Sequence, residues 1–357
     1  MWMTVLIGSG CVATLLAGTA GAAESAPKEL MTPNKRVAET NGTTPSELAT
    51  PNYQTSEITG IGYDTQWERC DPSNVIKVGD TFHVWYTRFK ARTEPYAGTV
   101  YHASSTDGHD WTERGQAIVP GPAGTWDNFG VITPYLLVSH GQYYLYYTGS
   151  RQVTGEAWTV RGKNNKRHVG LAIADSPDGP WKKLPEPVLS PGESGEWDDY
   201  LVDDTHIIVR DGKFWLYFKG YNWPTTWKHT RWGLAVAEKP TGPFVKYEKN
   251  PVLGSGHCVC VWPHRDGVAA LVDDSGPERF TIQYAKDGIH FQRTCKLKRV
   301  DIGCAPYDPD AFSNTTNAGG ISWGVTARRR DGLLHIVRFD VDLRVPPTPS
   351  SLLPDIR

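Results

Sequence analysis

Three segments decide the fold: Asp71–Arg88, DPSNVIKVGDTFHVWYTR; Thr133–Ser150, TPYLLVSHGQYYLYYTGS; and Asp203–Gly220, DDTHIIVRDGKFWLYFKG. Each reads as a short apolar strand, a Gly-centred turn, and an aromatic strand alternating with period two, which is the pattern of a β-hairpin. Two weaker copies follow, VCVWPHRDGVAALVDD from Val259 and ISWGVTARRRDGLLHIVRFD from Ile321. The hairpin glycines Gly79, Gly141, Gly212, Gly267 and Gly332 stand 62, 71, 55 and 65 residues apart. Between them lie SSTDGHDW (104–111), ADSPDGPW (174–181), AEKPTGPF (237–244) and AKDGIHF (285–291), each a turn ahead of an aromatic. A unit of about 60 residues therefore supplies roughly four strands, and five units predict an all-β fold, a five-bladed β-propeller over residues 56–345. A β-sandwich with insertions is the competing architecture, and it accounts less well for the regular hairpins.

Composition agrees with strands and turns. The chain has 14 Trp, 16 Tyr and 10 Phe but 3 Met, with 36 Gly and 26 Pro. A net charge of −2, from 37 basic and 39 acidic residues, leaves no electrostatic footprint for nucleic acid or an anionic membrane. Residues 1–23, MWMTVLIGSGCVATLLAGTAGAA, hold an apolar run and an Ala20-Gly21-Ala22 site, the pattern of a secretory signal peptide, although no Lys or Arg precedes the run. Export to the periplasm or the medium is the expectation. Cys11 lies early and lacks a good lipobox. Residues 24–55 are expected to form a mobile arm and 346–357 a C-terminal tail.

In a propeller the first strand of each blade lines the central channel, so equivalent strand starts gather at one mouth. Counting back eight residues from each hairpin glycine gives Asp71, Thr133, Asp204, Val259 and Gly324, with Cys258 and His257 just behind Val259. Strand alternation is expected to turn the neighbouring Asp203 to the other face. Two carboxylates and a histidine converging on one opening suit glycoside hydrolysis. One group protonates the departing oxygen, and an ionised one activates water or stabilises the oxocarbenium-like transition state. Thr133 and Cys258, at the same level, are candidate substrate contacts. Trp67, Trp126, Trp223, Trp262 and Trp323 are candidate sugar platforms, against the plainer reading of packing between blades.

Several segments carry a resemblance: CDPSNVIKVGDTFHVWYTR, ADSPDGPW, VDDTHIIVRDGKFWLYFKG, NPVLGSGHCVCVWPHRDGVAALVDD and GGISWGV, in this order across residues 60–343. Together they resemble glycoside hydrolase family 117, the α-1,3-(3,6-anhydro)-L-galactosidases, and more widely the five-bladed hydrolases of family 43. The resemblance implies an inverting exo-hydrolase of agar-derived oligosaccharides. It implies Asp71 as general base, Asp204 as a second acidic group and His257 as general acid. The departures sit at the mouth. The family's Glu after the histidine is Cys258, its arginine before the base is Cys70, and its TPE is Thr133-Pro134-Tyr135. An N-terminal motif linked to exchange of arms between subunits survives only as Arg36, so a monomer and a homodimer both remain open. A family 43-type arabinofuranosidase or xylosidase, and a sugar-binding propeller whose catalysis has decayed, are the alternatives.

Five cysteines follow the leader: Cys70, Cys258, Cys260, Cys295 and Cys304. An oxidising compartment permits disulfides. Cys295 and Cys304 are the easiest pair to close, and a Cys70–Cys258 bridge beside the mouth is the more interesting one. His257-Cys258-Val259-Cys260 lacks the spacing of a structural zinc site. No metal or cofactor is therefore expected, with a divalent cation in the channel left conceivable.

Overall fold

A computed structural model describes residues 51–344, apart from 94–96, 152–164, 223–228, 274 and 309–319. The leader, the tail, Cys11, Arg36 and Trp223 lie outside the described residues. Two-residue turns build the hairpins. His140–Gly141, Asp211–Gly212 and Asp331–Gly332 have φ of 50° and 78°, 52° and 72°, and 51° and 80°. Positive φ at both central positions is the type I′ turn, whose twist matches that of the flanking strands.

The strands fall into five four-layered units. One strand, β1 (Tyr53–Glu57), comes first in the chain and is used last. In blade one, β2 (Trp67–Cys70) and β3 (Ile76–Val78) share the inner edge against β4 (Thr81–Lys90), followed by β5 (Thr99–Ser105) and β6 (Trp111–Ile118). Blade two is β7 (Gly130–Ser139), β8 (Gln142–Ser150), β9 (Arg167–Ala174) and β10 (Lys182–Lys183). Blade three is β11 (Leu201–Arg210), β12 (Lys213–Tyr221), β13 (Arg231–Ala237) and β14 (Val245–Lys246). A parallel contact, Leu201 against Arg167, ties these two into one sheet. Blade four is β15 (Val259–His264), β16 (Gly267–Val272), β17 (Thr281–Ala285) and β18 (Gln292–Lys296). Blade five is β19 (Ile302–Pro306), β20 (Gly320–Arg330) and β21 (Leu333–Arg344), and β1 completes its outer edge, from Tyr53↔Val341 to Glu57↔Val337.

The ring closes through the cores between blades. Blades one and two meet at Ile76, Trp85, Leu136 and Leu145. Blades two and three meet at Tyr146, Leu171, Leu216 and Phe218. Val259, Val261, Trp232 and Leu234 join three to four, Cys260, Leu271, Ile321 and Phe339 join four to five, and Val84, Tyr86, Trp323 and Val325 join five back to one. The chain is therefore an all-β, five-bladed propeller. Among the described residues no helix is long and apolar enough to cross a membrane.

Two readings of the sequence change. The hairpin at Gly332 joins the second and third strands of blade five, because β19 precedes it. Gly324 therefore pairs with Pro306 away from the mouth, where a side chain would meet the Ala305 carbonyl. And Tyr53–Glu57, at the end of the stretch expected to be a mobile arm, is a paired strand.

Candidate active site

The mouth is built from irregular strand starts. The β7–β8 register shifts between Ile132 and Tyr135, and the β11–β12 register between Asp203 and His206. Asp71, Thr133 and Asp204 have φ of 46°, 49° and 44°. Left-handed backbone at a non-glycine residue costs on the order of 1–3 kcal/mol and clusters at functional sites, and for β-branched Thr133 it is a genuine outlier. Gly303, φ 65°, holds the corresponding bulge in blade five. A bulge turns consecutive side chains to the same side, which overturns the alternation argument that set Asp203 aside.

Asp71, Thr133, Asp203, Asp204 and His257 line one cavity of about 170 Å³, together with Cys70, Arg167, Lys219, Tyr221 and Arg329. Cys258 borders a smaller hollow of about 40 Å³ beneath it, shared with Asp71, Thr133 and Asp204. Trp126 faces another way. It stacks on Tyr147 and donates its indole N–H to the Pro185 carbonyl at 3.0 Å. Trp262 is in the core between blades four and five, and Trp323 in that between five and one. Trp67 lies under the Arg88 guanidinium, 4.2 Å from its ring centre. None of these four lines the cavity.

Two neighbouring carboxylates are shifted in opposite directions. The Asp203 carboxylate accepts from Arg167 Nη1 at 2.8 Å, from Thr148 Oγ1 at 2.7 Å and from the Asp204 backbone N–H at 2.8 Å. Thr133 Oγ1 lies 3.0 Å from the same carboxylate and 2.7 Å from Thr148 Oγ1, so this hydroxyl is engaged within the protein. Burial alone would raise the pKa of Asp203, but Lys219 and Arg167 outweigh it and hold the group well below the usual carboxylate range. At Asp204 burial prevails over the Lys219 ammonium in contact with it, and with the nearby charges of Asp203 and Asp71 the pKa reaches about 7. Asp71 is also raised by burial, opposed by the Cys70 thiol, which donates to it at 3.1 Å, and by Lys219. His257 is pushed down to about 3 by burial and by the cations Lys219 and Arg167, so its imidazole is neutral.

The cysteines do not pair: Cys70, Cys258, Cys260, Cys295 and Cys304 are all free thiols, so neither expected bridge is formed. Cys258 Sγ instead lies 3.6 Å from Asp204 Oδ2 and 3.4 Å from His257 Nδ1. Donor atoms of His257, Cys258 and Asp273 come within 4.8 Å of one another, a spacing that could take a cation. Cys258 Sγ is shared between His257 and Asp204, and Asp273 Oδ1 accepts the His257 backbone N–H at 3.1 Å, and no ligand role is assigned to the three.

Sequence reasoning missed Arg167 and Lys219. A signal for Lys219 was present: Thr87, Thr148 and Lys219 occupy one phase of the three repeats, opposite Cys70, Ile132 and Asp203. Replacement of threonine by lysine in one copy marks a buried charge needing a partner. Arg167 opens the third strand of blade two and has no counterpart in the hairpin pattern.

A propeller whose central mouth gathers buried carboxylates defines a class, the glycoside hydrolases. Residues 67–223 match the description Glycosyl hydrolases family 43. The structure is similar to that of Zg3597, a family 117 glycoside hydrolase of the marine bacterium Zobellia galactanivorans, with 32% identity, TM-score 0.74, and coverage of 84% of this chain and 93% of that one. By this relationship the chain belongs to glycoside hydrolase family 117. Family 43 is more distant. A GH43_1 enzyme from Xanthomonas citri shares the fold at 14% identity and TM-score 0.53, over 80% of this chain and 91% of that one. Xylosidase/arabinosidase 43A of Humicola insolens is 25% identical over 141 residues, 37% of this chain and 36% of its own length. The matched segment thus spans about a third of that relative.

Proposed function

We propose that the chain is an exported, inverting, exo-acting hydrolase of the α-1,3-(3,6-anhydro)-L-galactosidase type, acting in agar degradation on agar-derived or related oligosaccharides. The observation that carries this reading is the shared cavity of Asp71, Asp204 and His257, about 170 Å³ in volume. A mouth of this size suits the entry of a terminal sugar ring.

Burial raises both Asp71 and Asp204, and the two share one cavity, the arrangement of an acid and base pair. Burial keeps a proton on Asp204, while the thiol of Cys70 and the charge of Lys219 favour the ionised form of Asp71. Ionised Asp71 takes a proton from the attacking water. Asp204 holds the proton needed on the other side, and neutral His257 passes an N–H proton to the departing oxygen. Asp203 binds Arg167 and Lys219, and through the Asp204 backbone N–H it fixes the bulge. The leader supports periplasmic or secreted localisation. Neither a monomer nor a homodimer is favoured.

One observation favours a second reading, a sugar-binding propeller without turnover: Cys258 stands where the family has a carboxylate, which removes a negative charge from the mouth. A panel of neoagaro-, arabino- and xylo-oligosaccharides separates the readings. Release of a terminal anhydro-galactose, with the inverted anomer seen first by NMR, is expected. Asp71→Asn should lose about 10³-fold in kcat at unchanged Tm. Binding by calorimetry without product would establish the second reading, and release of pentoses alone would move the chain toward family 43 chemistry.

A further inference from the structure

A proton donor must be reloaded, and His257 is poorly equipped to load itself. It is buried beside Lys219 and Arg167, which disfavour an imidazolium. A thiol touches both His257 and the protonated carboxylate. Cys258 Sγ sits 3.4 Å from His257 Nδ1 and 3.6 Å from Asp204 Oδ2. Both contacts are in the range for sulfur hydrogen bonds.

We propose that the Cys258 thiol is a proton bridge from Asp204 to His257, a positioning residue that fixes the imidazole tautomer and lets a neutral histidine act as the acid. The inference rests on the hydrolase reading above. A single S–H cannot donate to both neighbours. The thiol stands as a donor to Asp204 Oδ2, the oxygen that Lys219 also contacts; with that carboxyl protonated and His257 neutral, the thiol accepts from Asp204 and donates to Nδ1, which leaves the ring proton on Nε2. The step balances without an external reagent. As the glycosidic oxygen takes the Nε2 proton and the bond to the anomeric carbon breaks, Cys258 gives its S–H proton to Nδ1 and receives that of Asp204. Water attacks the anomeric carbon and gives its proton to Asp71, so the products are a neutral leaving alcohol, the free sugar, protonated Asp71, a neutral imidazole, a thiol, and an Asp204 carboxylate against Lys219.

The charged and titratable surroundings favour this direction. Lys219, in contact with both Asp203 and Asp204, stabilises the carboxylate left behind. Arg167 is spent on Asp203 at 2.8 Å. Asp273 accepts the His257 backbone N–H, and Asp71 and Cys70 are paired with each other. The thiol itself stays protonated, because burial and the adjacent Asp204 raise its pKa well above the usual value. It is a conduit and not a nucleophile.

The test compares wild type, Cys258→Ser and Cys258→Ala on two substrates: neoagarobiose as the oligosaccharide, and a dinitrophenyl glycoside of the same terminal sugar, whose leaving group needs no acid. Cys258→Ala should lose about 100-fold in kcat on the oligosaccharide and less than about threefold on the aryl glycoside. The hydroxyl of Cys258→Ser should restore most of the loss. Equal losses on both substrates, or none on either, would overturn the bridge. If wild type cleaves neither, the hydrolase reading itself falls, and ¹⁵N NMR of His257 without substrate decides the bridge separately. A single Nε2–H tautomer in wild type and Cys258→Ser, mixed in Cys258→Ala, supports it. Identical spectra in all three would refute it.

Discussion

In blade three the strand entering the mouth is bulged at Asp204–Thr205 and left-handed at Asp204, whereas in blade four β15 pairs with β16 without a break from Val259↔Val272 to His264↔Gly267. The bulged strand presents two successive carboxylates, Asp203 and Asp204, to one cavity. The regular strand divides its neighbours, with His257 on the larger cavity and Cys258 on the hollow below. A bulge thus concentrates like charge, which the fold must then neutralise, and that is the work of Arg167 and Lys219. A regular start delivers one group to the ligand and one to a supporting layer. The polar partners follow from this difference: ion pairs in blade three, a thiol in blade four.

The largest effect expected from this contrast is on stability. Asp203→Asn keeps the shape but leaves Arg167 buried without its anion, a loss on the order of 3–5 kcal/mol read by urea unfolding at pH 7. The sign with pH is fixed. A carboxylate whose folded pKa lies below its unfolded value stabilises above about pH 4 and loses that contribution as pH falls toward the folded pKa. The gap between wild type and variant should therefore narrow from pH 7 to pH 3. A gap that stays constant would mean that Asp203 contributes by shape and not by charge.

Much of this arrangement could be read from the residues alone. The hairpin period placed Asp71, Thr133 and Asp204 in phase, and all three have left-handed backbone. The rule failed where the turn changed. In blade four the turn residues are Arg265–Asp266, and Gly267 opens the next strand. Counting from Asp266, the equivalent of Gly141 and Gly212, arrives at Cys258 instead of Val259. In blade five the repeat matched the wrong pair of strands. Alternation failed at Asp203 because a bulge breaks period two, and no residue pattern announced the bulge. The tryptophans were ambiguous from the outset, since an aromatic ring that stacks on sugar packs equally well between blades.

A smaller effect lies in the pH profile. Asp204 holds its proton below about 7, so kcat/KM on an oligosaccharide should fall tenfold per pH unit above that value, as a single ionisation requires. Asp203→Asn removes a charge that raises the pKa of Asp204, and the limb should move to lower pH. Asp204→Asn should abolish it. A profile flat from pH 6 to pH 9 would assign the stored proton to another group and leave blade three a purely structural role.

The smallest effect on catalysis is expected at Trp126, and it tests where the contrast between blades ends. This ring lies just ahead of β7, close in sequence to Thr133, and residue type alone makes it a sugar platform. Its neighbours argue otherwise. It stacks on Tyr147, meets His168 edge-on at 5.9 Å, and spends its indole N–H on the Pro185 carbonyl. A side chain at Gly149 would strike its ring at 2.3 Å, so the ring is wedged against the β8 backbone. Trp126→Ala should lower stability by about 3 kcal/mol and change kcat/KM by less than about twofold, since the functional influence of blade two reaches the cavity through Thr133, Thr148 and Arg167, which bond Asp203. A loss in KM with stability intact would reverse the assignment and extend the binding surface outward along blade two.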